Sequence, residues 1–305
     1  MELENALKSG IVLLDGAMGT QLMDTDLPSG IPTACYNVGY PDTIQAIHER
    51  YIESGAQAIL TNTFNANRLM LKGHEAYGVR QLNQAGVQLA RRASAGTDVM
   101  VIGDIGPSGG QQQLHDSLYD AKRIADEAKQ YLYEVFKEQA VALAEAGVDA
   151  ILIETMSYLQ EAILATRAVT ENTDIYVMCT MVFKTPPRSR PSDFKSLWGD
   201  NVPDIHDGLE QAGAKAVGAN CGGVVKAMPR LARQMRNVTS LPLVFQMNTV
   251  SDEPDEQMNP PKQPLTPVEF GQLISEVVAE GANMVGGCCG TTPDHISEAR
   301  KVLNQ

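Results

Sequence analysis

Three of the five cysteines in this 305-residue chain sit in glycine-rich stretches. Cys221 lies in GANCGG (218–223), and Cys288 and Cys289 are adjacent in GGCCGTTPDHI (286–296). Three thiolates plus one open position make a catalytic zinc pattern, whereas a closed structural site takes four protein ligands. Sulfur suits zinc better than magnesium or calcium. Three thiolates leave zinc a weak Lewis acid toward water. A fourth thiol still binds as thiolate, its pKa drawn from about 8.5 to near or below neutrality. The chemistry to expect is alkylation of a thiol substrate, not hydrolysis. Side chains of adjacent residues on a regular strand point to opposite faces. Cys288 and Cys289 can therefore share one ion only where the backbone bends, and Gly286, Gly287 and Gly290 permit a bend. Rival readings of the trio are small buried hydrophobes, a vicinal 288–289 disulfide, and a redox switch, although C-x-x-C spacing is missing. Cys35 and Cys179 read as core residues.

Bringing residue 221 to residues 288 and 289 requires a scaffold, and a repeat shows one. ESGAQAILTN (53–62), EAGVDAILIE (145–154), QAGAKAVGAN (211–220) and AEGANMVGGC (279–288) share a Gly at the third position, then small and apolar residues, then a polar or thiol residue. Each follows a helical pattern; in YLYEVFKEQAVALAEAG, Leu132, Val135, Phe136, Gln139, Leu143 and Gly147 trace one face. The unit reads as helix, Gly cap, buried strand, functional tip. Four near-continuous apolar runs alternate with these units, at 11–16, 99–106, 175–183 and 242–248, as parallel strands buried on both faces do. Helical stretches follow at roughly 42–55, 75–95, 121–147, 158–170, 203–213, 225–237, 266–280 and 293–303. Eight strands alternating with eight helices predict an α/β protein, a single-domain (β/α)8 TIM barrel over residues 1–305. The runner-up is an open doubly wound sheet.

Function then belongs at the C-terminal strand tips: DGAMGT (15–20), TNTFNAN (61–67), GDIGPSG (103–109), ETMSY (154–158), NCGG (220–223), MNT (247–249) and GGCCGT (286–291). Two long connections at that face, 184–201 and 251–266, are candidate lids or docking surfaces. The formal net charge of -13 repels phosphate backbones, so nucleic acid is not an expected partner. No run approaches the roughly 20 apolar residues of a membrane helix. The start of the chain shows no basic, apolar leader. An odd number of scattered cysteines fits a reducing compartment, and the expectation is cytoplasmic.

GANCGG and GGCCGTTPDHI resemble the two zinc motifs of the homocysteine S-methyltransferase family. The resemblance continues in LLDGAMGTQL (13–22), PDTIQAIHERYIESGAQAILTNTFNAN (41–67) and DAILIET (149–155), so it spans nearly the whole chain. LLDGAMGTQL is more similar to the homocysteine module of cobalamin-dependent methionine synthases than to betaine or S-methylmethionine enzymes. The resemblance implies a barrel, Zn2+ held by Cys221, Cys288 and Cys289, homocysteine as acceptor and a methyl-corrinoid as donor. It implies that the loop from Asp15 through Gly16, Ala17 and Met18 to Thr20 meets the amino acid end of the substrate, with backbone N–H groups toward its carboxylate. It makes Glu154 the partner of the ammonium, and Thr61, Asn62, Thr63 and Asn220 lining residues. His48 lies in a matching stretch but on a helix, and reads as structural. The chain stops soon after its last helix, so the corrinoid is expected on a separate protein. The stretches FKTPPRSRPSDFKSLWGD (183–200) and Met247–Val250 depart from the methionine synthase pattern. They motivate two alternatives: demethylation of another small methylated compound toward a corrinoid protein, and a non-catalytic zinc- or thiol-binding module.

Overall fold

In the computed structural model, residues 3–110, 119–120, 123–187, 189–190, 192–250 and 264–304 are described. Eight strands form one sheet: β1 (Val12–Leu13), β2 (Ala58–Leu60), β3 (Met100–Ile105), β4 (Ala150–Met156), β5 (Tyr176–Met181), β6 (Ala216–Asn220), β7 (Leu243–Met247) and β8 (Met284–Gly287). Every pairing between them is parallel, each strand beside its sequence neighbour, and β1 pairs with β8. A parallel bridge between Leu14 and Ala58 joins β1 to β2 and closes the circle. The protein is a (β/α)8 barrel, and the open-sheet reading falls with that bridge.

The helices that follow the strands are α1 (Pro41–Glu53), α2 (Val79–Ala93), α3 (Asp126–Ala146), α4 (Leu159–Thr170), α5 (Val202–Gln211), α6 (Met228–Arg236), α7 (Pro267–Ala279) and α8 (Pro293–Leu303). Most start or end within two residues of the sequence expectation. α2 begins later, after Gly78, whose φ of 70° suits glycine. The helix expected over 121–147 begins at Asp126; part of its expected first turn lies outside the described residues. The repeat glycines Gly55, Gly147, Gly213 and Gly281 have φ of 97°, 88°, 97° and 102°. Each ends its helix in the left-handed region, which explains why the repeat keeps a residue without Cβ there.

Strand alternation divides the core in two. Outward residues such as Leu13, Ile59, Val101, Ile151, Val217 and Phe245 pack under the helices. Inward residues Leu14, Leu60, Ile102, Leu152, Met178, Val244 and Met284 fill the barrel, and Leu3 and Ala6 of the short helix Leu3–Ser9 plug its N-terminal end. Burying each large side chain contributes about 1.5–3 kcal/mol. This plug was not expected from the sequence. Cys35 and Cys179 are buried core residues, and His48 is wholly buried on α1, as expected.

The described residues of the connection at 184–201 make regular contacts that its prolines do not suggest. Phe183–Lys184 pairs antiparallel with Lys195–Ser196, and Trp198 stacks at 5.6 Å on Tyr158 at the head of α4. Most of the second long connection, 251–263, lies outside the described residues.

Candidate metal and substrate site

Three sulfur atoms meet at the C-terminal mouth of the barrel. The ligand atoms of Cys221, Cys288 and Cys289 all lie within 4.8 Å of one another. Cys221 Sγ is 4.0 Å from Cys289 Sγ. Tetrahedral zinc with sulfur at about 2.3 Å sets its ligands about 3.8 Å apart. The donor set therefore fits a single zinc ion with one position left open.

The backbone that achieves this differs from the sequence expectation in detail. β8 ends at Gly287, and the chain turns through Cys288 and Cys289, with Gly290 at φ 84°. Gly286 and Gly287 remain in the strand and serve close packing instead. A Cβ on Gly286 would come 2.6 Å from Leu14 Cβ, and one on Gly287 2.3 Å from Thr291 Oγ1. The turn is pinned from the neighbouring strand, because Cys288 N–H donates to Met247 O at 2.9 Å and Thr249 N–H to Cys289 O at 3.0 Å. Cys221, just beyond β6, has φ 57°, and Thr155, in an irregular part of β4, has φ 61°. Neither is a glycine, so each costs about 1–3 kcal/mol and must be held by its surroundings.

Asn220 does much of the holding. Its Oδ1 accepts from Thr155 N–H and from Thr180 Oγ1, both at 2.7 Å. Its Nδ2 donates to Thr155 Oγ1 at 2.7 Å and Glu154 Oε2 at 3.4 Å, and lies 3.9 Å from Cys288 Sγ. Across the site, Asn248 Nδ2 donates to Gly222 O at 3.1 Å and lies 3.8 Å from Cys221 Sγ. Thr180 is absent from the tips read from the sequence, while Thr155 and Asn248 fall within ETMSY and MNT without a role of their own. Their signal was weak: polar residues at strand ends, one per strand.

The first loop is stitched to the cysteine turn. Ala17 N–H donates to Thr291 Oγ1 at 3.0 Å, Gly290 N–H to Thr20 Oγ1 at 2.9 Å, and Tyr51 Oη reaches Ala17 O and Thr291 O at 3.1 and 3.2 Å. Gly16 has no room for a Cβ, which would lie 2.8 Å from Tyr51 and Thr291 side-chain atoms. Met18 begins the short helix Met18–Met23. Asp15 Oδ2 accepts from Leu60 N–H at 3.0 Å. Thr61, Asn62 and Thr63 are buried and bonded within the protein. Thr61 and Thr63 hydroxyls lie 2.6 Å apart, and Asn62 Nδ2 donates to Thr33 O and Asn37 Oδ1.

The electrostatics are unusual for such a buried place. Asp15, Asp104 and Glu154 all face the interior, and none takes part in an ion pair among the described residues. Burial holds Asp15 and Asp104 well above the ordinary carboxylate range, and repulsion from Glu154 adds to it. Burial also pushes Glu154 up to about 7, with the charge on Cys221 next, while Gln246 pulls it back by hydrogen bonding. Hydrogen bonds from the thiols of Cys288 and then Cys289 pull the Cys221 thiol well below its usual range, while Cys288 is pushed up chiefly by giving its hydrogen bond to Cys221.

A cavity of about 580 Å³ opens beside the sulfurs, lined by Thr155, Ser157, Val182, Leu197, Asn248 and Val250 with Cys221, Gly222, Cys289 and Gly290. Leu197 belongs to the connection after β5, so that segment forms part of the pocket wall.

The homocysteine S-methyltransferase family matches residues 12–303. Methionine synthase of Mycobacterium leprae is 29% identical over 317 residues, covering 97% of this chain and 24% of that protein. Methionine synthase of Mycobacterium tuberculosis is 30% identical over 315 residues, covering 97% and 25%. The chain thus spans about a quarter of the length of these curated relatives. Among solved structures, the metallated homocysteine methyltransferase MmuM from Escherichia coli superposes with a TM-score of 0.76 at 24% identity, covering 97% of this chain and 99% of that one. Its apo form gives 0.67 at 25% identity, covering 99% and 98%. These two structures support the fold. No helix among the described residues is long and apolar enough to cross a membrane.

Proposed function

Because the chain belongs to the homocysteine S-methyltransferase family, we propose that it transfers a methyl group to the sulfur of homocysteine, giving methionine, with zinc held by Cys221, Cys288 and Cys289. The observation that carries this reading is the convergence of three sulfurs from two strands on one point beside a pocket. When bound, the zinc supplies the positive charge that keeps an incoming thiol ionised at neutral pH. The protein does the rest. Asn220 and Asn248 hold the sulfurs in place, and Asp15 and Glu154 receive the substrate ammonium. The Asp15–Thr20 loop meets the carboxylate through backbone N–H groups other than that of Ala17, which Thr291 already occupies.

In the reaction the substrate thiol loses its proton to solvent and its sulfur attacks the methyl carbon. The carbon–sulfur bond forms as the bond to the donor breaks, and the electron pair leaves with the donor. Alignment of sulfur, methyl and leaving group contributes several kcal/mol to the rate. The donor we favour is a methyl-corrinoid on a separate protein, because Cys289 is exposed at the open mouth. The test is to load the protein with zinc and supply homocysteine and methylcobalamin. Methionine should form, and about one zinc per chain should be bound. Bound zinc without methionine would overturn the corrinoid donor. Homocysteine that leaves the zinc X-ray absorption spectrum unchanged would overturn thiol activation altogether.

A further inference from the structure

Among the buried acceptors that have no donor, Asp104 Oδ1 and Gln246 Oε1 lie on opposite walls of the barrel. Asp104 is on the inward face of β3, two residues beyond Ile102 and register-paired with Leu152. Its backbone is fixed, because its N–H donates to Thr61 Oγ1 at 3.0 Å and its carbonyl accepts from Thr63 Oγ1 at 2.7 Å. Its side chain is not: the residue is 6% exposed and Oδ1 has no hydrogen-bond partner. Gln246 is on the inward face of β7, register-paired with Asn220 and Gly286. It is 3% exposed, its amide serves Glu154, and its Oε1 has no partner. Leaving a buried acceptor unpaired is costly. Two of them around one interior, with Asp15 and Glu154 between, call for a ligand that brings hydrogen-bond donors and positive charge.

A metal ion does not answer. Among the described residues only the three cysteines bring ligand atoms within 4.8 Å of one another, so the three carboxylates do not converge on one point. A substrate carboxylate would bring a further negative charge to three acids whose own ionisation burial already opposes. A primary ammonium has three N–H donors diverging from one nitrogen, which matches acceptors spread around a volume.

We propose that Asp104, with Gln246, forms the deep wall of the ammonium subsite and selects thiols that carry an amine over thiols that do not. This rests on homocysteine being the acceptor. Asp104 is then a specificity-determining residue, additional to Asp15 and Glu154, and its unpaired oxygen is the place prepared for one N–H.

The test compares homocysteine with the same thiol lacking its amine, 4-mercaptobutanoate, on zinc-loaded protein. Wild type should bind homocysteine at least about 10-fold more tightly, as loss of charge-assisted hydrogen bonds implies. Asp104→Asn should weaken homocysteine about 10- to 100-fold and change the affinity for 4-mercaptobutanoate less than about 3-fold. Because the carboxyl satisfies nothing in the free protein, Asp104→Val should melt no lower than wild type. Equal losses for both thiols, or a lower melting temperature with unchanged discrimination, would make Asp104 structural and overturn the proposal. Wild type that binds both thiols equally would overturn it while leaving thiol activation intact. Wild type that binds neither would overturn the homocysteine reading, and this proposal with it.

Discussion

At the N-terminal end of the barrel, Leu14, Leu60, Ile102, Leu152, Met178 and Met284 meet the plug residues Leu3 and Ala6, and every side chain in that cluster is apolar. Two residues further along β3, β4, β5 and β7 the same inward positions hold Asp104, Glu154, Thr180 and Gln246. Backbone and alternation are common to both layers, so the difference lies in the side chains alone. The lower layer is apolar throughout. The upper layer keeps unpaired acceptors at Asp104 and Gln246, mutually repelling carboxylates, and left-handed backbone at Thr155 and Cys221. Protein interiors tolerate such costs where a ligand later offsets them. The lower layer should therefore govern stability, and the upper layer binding and chemistry.

The strongest way to break that division is Cys288→Ala. It should remove stoichiometric zinc and lower the affinity for a substrate thiol by more than about 100-fold. Metal-free variant and metal-free wild type should nevertheless unfold at the same urea concentration. Zinc retained by the variant would sink the metal site. A large loss of metal-free stability would show that the upper layer holds the fold after all.

The converse experiment is Leu152→Ala, directly beside Asp104 in the register. Opening a cavity at a fully buried Leu should cost about 2–5 kcal/mol, read by urea unfolding. Turnover per folded molecule should stay near wild type. A variant that folds well yet loses activity would show that the two layers are mechanically coupled.

How far the sequence reveals this division depends on the kind of signal. The strands were legible because parallel strands buried on both faces read as apolar runs, and the repeat fixed their phase. The cysteines were legible because adjacent thiols among glycines are rare in a core. Asp104 was visible only as part of GDIGPSG; the available clue was a charge on the same two-residue period as Met100 and Ile102. The left-handed Thr155 was not legible, since a β-branched residue gives no sign of positive φ. The hairpin after β5 was hidden by prolines that suggest irregular chain. The plug helix depends on packing against eight strands, which local pattern does not record.

An unpaired buried group does not by itself mark a site, and His48 sharpens the comparison. It is fully buried on α1 with neither ring nitrogen hydrogen-bonded. Burial lowers its pKa from 6.5 to about 4. With the folded value below the unfolded one, the unfolded chain takes up the proton first. The stability tied to neutral His48 is complete above about 6.5 and is lost as pH falls toward 4, on the order of 3 kcal/mol in all. Glu154 works the other way, because its raised folded pKa gives stability that is complete below about 4.5 and lost as pH rises toward 7. The wild-type curve mixes the two, so the difference between wild type and His48→Leu isolates the histidine. Relative to wild type, the variant should gain stability steadily between pH 6.5 and 4. A flat difference would mean that His48 is paired or hydrated, and that its orphaned nitrogens carry no cost.

The smallest expected effect tests the strain itself. In Thr155→Gly the left-handed backbone no longer opposes a Cβ, a gain of about 1–2 kcal/mol. Against it stand the greater freedom of the unfolded glycine, about 0.5–1 kcal/mol, and the lost hydroxyl acceptor for Asn220, about 1 kcal/mol. These nearly cancel, so the melting temperature should barely move. The loss of the hydroxyl still frees one side of Asn220, whose amide lies 3.9 Å from Cys288 Sγ. Zinc should then pass to a competing chelator several-fold faster than from wild type. Unchanged stability with faster release would place Thr155 in the upper layer's task of holding sulfur. A fall of more than about 2 kcal/mol, a large effect for one substitution at a strand tip, would instead make its conformation a determinant of the fold and blur the boundary between the two layers at β4.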